Sequence, residues 1–216
     1  GDQPEYISAW FSIIQIVSLA KQGQHREALR ICEISRGEIS KSLGNKSYAV
    51  NMISALMAAI LYERNELEYA RKLCDESFSY VKEQGSADSL LAAYLTKARL
   101  HIIEQNYEEG VLVLRDGQSL GNSRDFSRVA LVLLAEEITW HIRLGQVDLA
   151  ADLINQNKHF FSKPDDIEAH WKHAFSDLLR LRIALCDESN LSASLGFLSS
   201  SIHRAKSLGQ GRKVIE

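Results

Sequence analysis

A pattern that recurs about every forty residues constrains this chain more than any other feature of its sequence. The stretch LYERNELEYARKLCDES, from Leu61 to Ser77, has the pattern of a helix end, a short break and the charged start of a second helix. A small residue follows each such break at intervals of 40 to 43 residues, at Ala28, Ala70, Gly110, Ala150 and Ala193. These concordant copies predict one structural unit repeated along the chain.

Two further columns of residues keep the same spacing. An apolar residue lies four positions after each anchor, at Cys32, Cys74, Leu114, Ile154 and Phe197. Three positions further on lie Ser35, Ser77, Gly117, Asn157 and Ser200. Apolar residues three and four apart predict helices with one buried face, so each unit is a pair of helices. We therefore predict an all-α chain forming one domain, 1–216. Its repeats cover about 5–44, 46–85, 86–121, 123–162 and 164–209.

The residues at the breaks predict where the helices begin and end. Asn65 with Glu68, and Asn106 with Glu109, have the spacing of a capping box at the start of a second helix. Glycine is the usual residue at a left-handed helix C-terminus. Unit ends are therefore predicted at Gly44, Gly85, Gly121 and Gly209.

The composition indicates a globular chain and argues against two kinds of partner. Of the 216 residues, 45% are hydrophobic and 25% charged, and the net charge of -3 offers no general attraction to phosphate backbones. No apolar stretch reaches the roughly 20 residues that cross a bilayer. We expect this chain to bind neither nucleic acid nor membrane.

The cysteines and the first residues indicate the setting in which the chain works. Cys32, Cys74 and Cys186 show no C-x-x-C spacing, so neither a disulfide framework nor a zinc ribbon is indicated and a cytoplasmic location is expected. The sequence begins Gly-Asp-Gln without an initiator methionine. We expect it to be a part of a larger protein.

One cluster in the sequence has metal-ligand chemistry. Asp166, His170 and His173 fall on one face of a predicted helix and have the residue types that bind zinc or nickel. The alternative is that Asp166 favours the start of a helix behind Pro164, while both histidines are exposed. We adopt the alternative and predict no metal and no cofactor.

Other catalytic patterns are weaker still. His101 and His141 occupy corresponding places in adjacent units, and we interpret them as surface residues because no nucleophile with an acidic partner is placed beside them. The stretch Gly44 to Ser47 contains Lys-Ser but lacks the glycines of a phosphate loop. We predict that the chain is not an enzyme.

The alignment of the repeats resembles the tetratricopeptide repeat (TPR), in its series of alanine, large apolar residue and small residue. The units exceed the usual 34 residues by about six and lack the closing proline. Longer, proline-poor units of this kind look most like the sensor region of the maltose-activator (MalT-like) type of LuxR-family transcription regulators. This resemblance implies a right-handed superhelical solenoid, preceded by a nucleotide-binding domain and followed by a separate DNA-binding domain.

In a TPR-like solenoid the first helix of each pair lines the concave side, which predicts a binding surface. The column facing it is Val17, Ala59, Arg99, Thr139 and Arg182, with Tyr62 and Arg143 slightly further along their helices. Arginine holds carboxylates and phosphates with two parallel hydrogen bonds, so the surface suits an anionic or hydroxyl-rich ligand or an acidic peptide. The alternative is that Arg99 and Arg182 pair with glutamates such as Glu136.

The function that this sequence predicts is therefore binding. We expect a regulatory module of a bacterial transcription regulator that senses a small-molecule inducer or a protein partner through its concave surface. The alternative is a protein–protein interaction scaffold without a small-molecule ligand.

Overall fold

The computed structural model describes residues 3–157 continuously, with side chains from residue 6, and isolated positions between 192 and 206. Eight α-helices lie in the continuous part. They are α1 (Gln3–Lys21), α2 (His25–Leu43), α3 (Tyr48–Glu63), α4 (Leu67–Gln84), α5 (Ala87–Ile103), α6 (Tyr107–Ser123), α7 (Ser127–Arg143) and α8 (Val147–Gln156). No strand occurs among the residues described, which confirms the all-α prediction.

The chain divides into two units within helix α6. The first unit is Gly1–Gly117 and the second is Gln118–Glu216. In the first unit, α1 packs on α2 and α3, while α3 also packs on α2, α4 and α5. In the second unit, α7 packs on α8 around an apolar cluster that includes Leu134, Ile138 and Ile154. Whether the chain forms one repeat domain stays a prediction.

The breaks between the first and second helix of each pair share one backbone turn. The left-handed residues are Gly23, Asn65, Gln105 and Gly145, with φ between 62° and 76°. At each turn, the amide of the next residue donates to the carbonyl oxygen five positions earlier, as in the 2.9 Å bond from Glu66 to Leu61. Both features define the Schellman motif that ends a helix. The turns recur 40 or 42 residues apart, in step with the small anchors.

This turn corrects the predicted cap at Asn65. Asn65 ends the preceding helix in the left-handed conformation, and the residue before α4 is Glu66, whose side chain makes no capping hydrogen bond. Asparagine is favoured in both roles because its short polar side chain tolerates the left-handed region. Asn106 does immediately precede its helix, α6, and its carbonyl oxygen accepts the amide of Gly110 at 3.0 Å.

The small anchors lie where helices approach closely. Ala28, Ala70 and Ala150 are fully buried, as is Ala98 on α5. A Cβ atom placed on Gly110 would lie 2.7 Å from Ile102 Cγ1 and 3.1 Å from the carbonyl oxygen of Ala98. The larger side chains of other residues would therefore separate α5 from α6 at this point.

Only one of the three described glycines predicted to end a unit does so with a positive φ. Gly44 caps α2 with φ 81°. Gly85 ends α4 with φ -66°, in extended backbone. Gly121 lies inside α6, where an added Cβ would be 2.8 Å from the amide nitrogen of Ala130 on α7. Close packing, and not chain reversal, thus explains the glycine at position 121.

The fifth predicted repeat, 164–209, lies largely outside the described residues. Gly196 is helical, and Ser200 is helical and exposed. Its counterparts Ser35, Ser77 and Gly117 are buried, so the column of small residues is not buried throughout. Across the described part, no helix is long and apolar enough to cross a membrane.

Candidate binding surface

The ends of two neighbouring helices bring together three residues of the first unit. Tyr62 and Glu63 are the last residues of α3, and Arg99 lies in the last turns of α5. Arg99 Cζ lies 5.9 Å from the centre of the Tyr62 ring. Arg99 Nη1 is 3.4 Å from Glu63 Oε1. The predicted grouping of Tyr62 with Arg99 is present in the structure, and we call Tyr62, Glu63 and Arg99 the aromatic-arginine cluster.

Buried neighbours hold this cluster at the protein surface. Ala58 and Leu61 fix the last turns of α3 in the core, and Ala98 and Leu100 do so on either side of Arg99. The polar side chains therefore emerge where the apolar faces of α3 and α5 end. The side chains of Arg99 and Glu63 retain 25% and 26% of their exposure.

The geometry of the cluster suits recognition of an acidic group. An aromatic ring close to a guanidinium stabilises its charge, and the planar N–H donors of arginine match the two oxygens of a carboxylate or phosphate. The contact with Glu63, at 3.4 Å, lies beyond the usual 2.7 to 3.2 Å of a strong hydrogen bond. An incoming carboxylate or phosphate would compete with Glu63 for Arg99.

Two further ion pairs lie near the same ends of α3 and α5. Arg64 Nε donates to Glu66 across the turn after α3, at 2.7 Å. Arg71 on α4 lies 2.5 Å from Glu104, the residue that caps α5. These short pairs neutralise their own charges, and they provide matched controls for the longer Arg99 contact.

The other predicted site residues lie in the second unit or outside the described residues. Thr139 is 8% exposed, and its hydroxyl donates to the carbonyl oxygen of Ala135 at 2.8 Å. Its proton is thus already used within α7. Arg143 is exposed, with Cζ 5.0 Å from the centre of the Trp140 ring. Arg182 falls outside the described residues, as do Asp166, His170 and His173.

Sequence reasoning missed a buried polar cluster in the second unit. Glu137 is 1% exposed and accepts a 2.7 Å hydrogen bond from Gln118 Nε2. His141 Nε2 lies 3.6 Å from Glu137 Oε1, and His141 Nδ1 lies 2.7 Å from Gln146 Oε1. His141 is 6% exposed, so the interpretation of it as a surface residue is wrong. The signal was present: Glu137 follows Val129 and Leu133 at four-residue spacing on the buried face of α7.

Neither described cysteine is suited to nucleophilic chemistry. Burial raises the pKa of the Cys32 thiol to about 12, and the charge of Glu33 adds to the shift. Burial likewise raises the pKa of Cys74 to about 12. A thiol needs to lose its proton to act as a nucleophile or metal ligand, so both remain unreactive near neutral pH. The described residues hold no group of three or more potential metal ligands.

Comparison with known proteins gives a partial likeness to a serine/threonine-protein kinase. No family model matches the chain. Serine/threonine-protein kinase PknK from Mycobacterium tuberculosis (strain ATCC 25618 / H37Rv) is 31% identical over 117 residues, which is 54% of this chain and 10% of the kinase. PknK from Mycobacterium bovis (strain ATCC BAA-935 / AF2122/97) gives the same values. The chain therefore spans about a tenth of the length of the curated relatives it matches.

Proposed function

We propose that this chain is the regulatory binding module of a bacterial transcription regulator of the maltose-activator type. Its TPR-like helix pairs continue as a right-handed superhelical solenoid, whose concave surface senses an inducer or a protein partner. The recurrent Schellman turn and buried anchors support the repeat. DNA binding and nucleotide binding belong to other domains of the parent protein, which works in the cytoplasm.

The observation that carries this proposal is the aromatic-arginine cluster. Arg99 combines a partly exposed side chain, an aromatic ring centred 5.9 Å from its Cζ and a 3.4 Å contact to Glu63. A carboxylate or phosphate ligand would replace that contact with two shorter, parallel hydrogen bonds. The ligand class that fits is therefore an anionic small molecule or an acidic peptide.

The match to PknK is compatible with this role. The matched segment makes up a tenth of a protein whose name describes a serine/threonine-protein kinase. A similar segment thus occurs as a small part of a longer protein. In the parent protein of this chain, we expect a phosphate loop upstream and a DNA-binding helix-turn-helix downstream, and the gene sequence tests both.

Titration with two anionic probes tests the cluster directly. We expect hexaglutamate or glucose 6-phosphate to bind the 216-residue chain, with affinity falling as salt rises because the contact is ionic. Arg99→Ala should weaken binding by at least about tenfold, because it removes both charge-assisted hydrogen bonds to the ligand. Glu63→Gln should strengthen binding, because it removes the carboxylate that competes for Arg99. Calorimetry measures the affinity of each probe for the unaltered chain and for both variants.

Arg71→Ala is the matched control for this titration. Arg71 is also paired with a glutamate, and its side chain is 31% exposed against 25% for Arg99. Its removal should leave probe affinity within about twofold, a change of less than 0.5 kcal/mol. Equal losses in both variants would show only general charge attraction. Failure of both probes to bind the unaltered chain would contradict the proposed ligand class.

A further inference from the structure

The outer face of α1 carries large apolar side chains that no other described part of the chain covers. Ile7, Trp10, Phe11 and Ile14 are between 47% and 69% exposed. Their spacing of three and four residues places them on one face of the helix. The opposite face, with Ala9, Ile13 and Ile16, is buried. Helix α1 is therefore apolar on two faces, and only one of them has a partner within the described residues.

The repeat register identifies the equivalent face on α3. The Schellman turns after α1 and α3 lie 42 residues apart, at Gly23 and Asn65. Forty-two residues beyond the exposed face of α1 lie Ala49, Met52, Ile53 and Leu56. All four are at most 7% exposed. The same face is thus exposed on α1, the first helix of one pair, and buried on α3, the first helix of the next.

The neighbours of α1 and α3 differ, and this difference shows which helices bury the face on α3. Helix α1 packs on its own partner α2 and on the following helix α3. Helix α3 has the corresponding neighbours, α4 and α5, and packs in addition on α1 and α2. The preceding helix pair is therefore what α3 has and α1 lacks. We infer that α1 and α2 cover the face containing Ala49 and Ile53.

Helix α5 repeats this relationship. The corresponding positions, forty residues beyond those of α3, are Ser89, Ala92, Ala93 and Thr96. They are at most 9% exposed, and α5 packs on the preceding pair α3 and α4. The first helices of two successive pairs, α3 and α5, thus bury the same face against the preceding pair of helices.

We propose that the face of α1 formed by Ile7, Trp10, Phe11 and Ile14 docks a further helix pair of the same repeat, encoded upstream of Gly1 in the same polypeptide. The contact continues the interface by which each described pair covers the next. Because Trp10 and Phe11 are larger than the residues at these positions on α5, the docking helices would present small residues there. This proposal does not depend on ligand binding at the aromatic-arginine cluster.

The experiment compares the 216-residue chain with one extended by the roughly 45 gene-encoded residues ahead of Gly1, about one repeat. Trp10 is the reporter, and Trp140→Phe with Trp171→Phe removes the other two tryptophans from both chains. We expect acrylamide quenching of Trp10 to fall several-fold in the extended chain. Its emission should also move to shorter wavelength, because the indole leaves water.

A second variant tests the same face without removing tryptophans. Phe11 is 69% exposed, so Phe11→Glu should leave the unfolding midpoint of the 216-residue chain unchanged. In the extended chain the buried carboxylate should lower the midpoint clearly. An equal shift in both chains would contradict the proposal.

Three other results would also overturn the proposal. The first is equal quenching of Trp10 in the two chains. The second is protection of Trp10 in the 216-residue chain that rises with concentration, alongside dimer formation in sedimentation equilibrium, since a second copy would then be the occupant. The third is a gene that encodes no residues ahead of Gly1.

Discussion

Replacing Gly110 with leucine is expected to lower the free energy of unfolding by about 3 kcal/mol, the upper part of the usual cost of overpacking. The first added atom would already lie 2.7 Å from Ile102 Cγ1 and 3.1 Å from the backbone oxygen of Ala98. Ile102 is a side chain that can shift, whereas the Ala98 carbonyl belongs to the hydrogen-bonded backbone of α5. The helices would therefore have to separate. Urea denaturation followed by circular dichroism measures the loss.

Gly37→Leu is the control for this change. Gly37 lies within α2, is exposed, and has no atom within 4 Å of an added Cβ. Leucine there should increase stability slightly, by up to about 1 kcal/mol, because it is the better helix former. If Gly110→Leu and Gly37→Leu were equally stable, this result would contradict the close approach of α5 and α6.

Glu137→Ala is expected to cost about 3 kcal/mol, because it removes one partner from a buried, hydrogen-bonded polar cluster. Gln118 Nε2 would lose the carboxylate oxygen 2.7 Å away, and His141 Nε2 would lose the one 3.6 Å away. His141 would remain buried, and Gln118 partly buried, without that compensation. Glu137→Gln should cost less, since the amide keeps an acceptor oxygen and nearly the same volume. Thermal unfolding of the three proteins gives the order.

Glu27→Ala provides the exposed counterpart of this variant. Glu27 makes a 2.6 Å ion pair with Arg30 on α2, at the surface. Solvent screens such a pair, so its removal should leave the unfolding midpoint almost unchanged. If Glu137→Ala behaves like Glu27→Ala, the carboxylate of Glu137 is not buried in the folded protein.

The repeat could be predicted because it depends on spacing that the sequence shows directly. Small anchors such as Ala70 and Gly110 recur where helices approach, and the turns five residues before them recur with them. The details of each turn were less predictable, since Asn65 suits both the start and the end of a helix. Gly121 has the same local sequence, SLG, as Gly44, and only its contact with Ala130 distinguishes them.

The candidate site shows the same division between local spacing and tertiary contact. The register alone grouped Tyr62 with Arg99, because α3 and α5 occupy equivalent places in successive units. It did not identify Glu63 as an ion-pair partner, since sequence spacing does not rank the glutamates that could reach an arginine. The buried cluster at Glu137 and His141 was missed because Gln118 comes from another helix.

The most direct test of the proposed binding role is the transcriptional response of the proposed parent regulator under its activating condition, measured with a reporter gene. Arg99→Ala should abolish the response while leaving folding and protein level almost unchanged, because its partly exposed ion pair contributes about 1 kcal/mol or less. Arg71→Ala, which removes a comparable pair, should respond normally. A normal response from Arg99→Ala, or equal loss from both variants, would contradict sensing through the aromatic-arginine cluster.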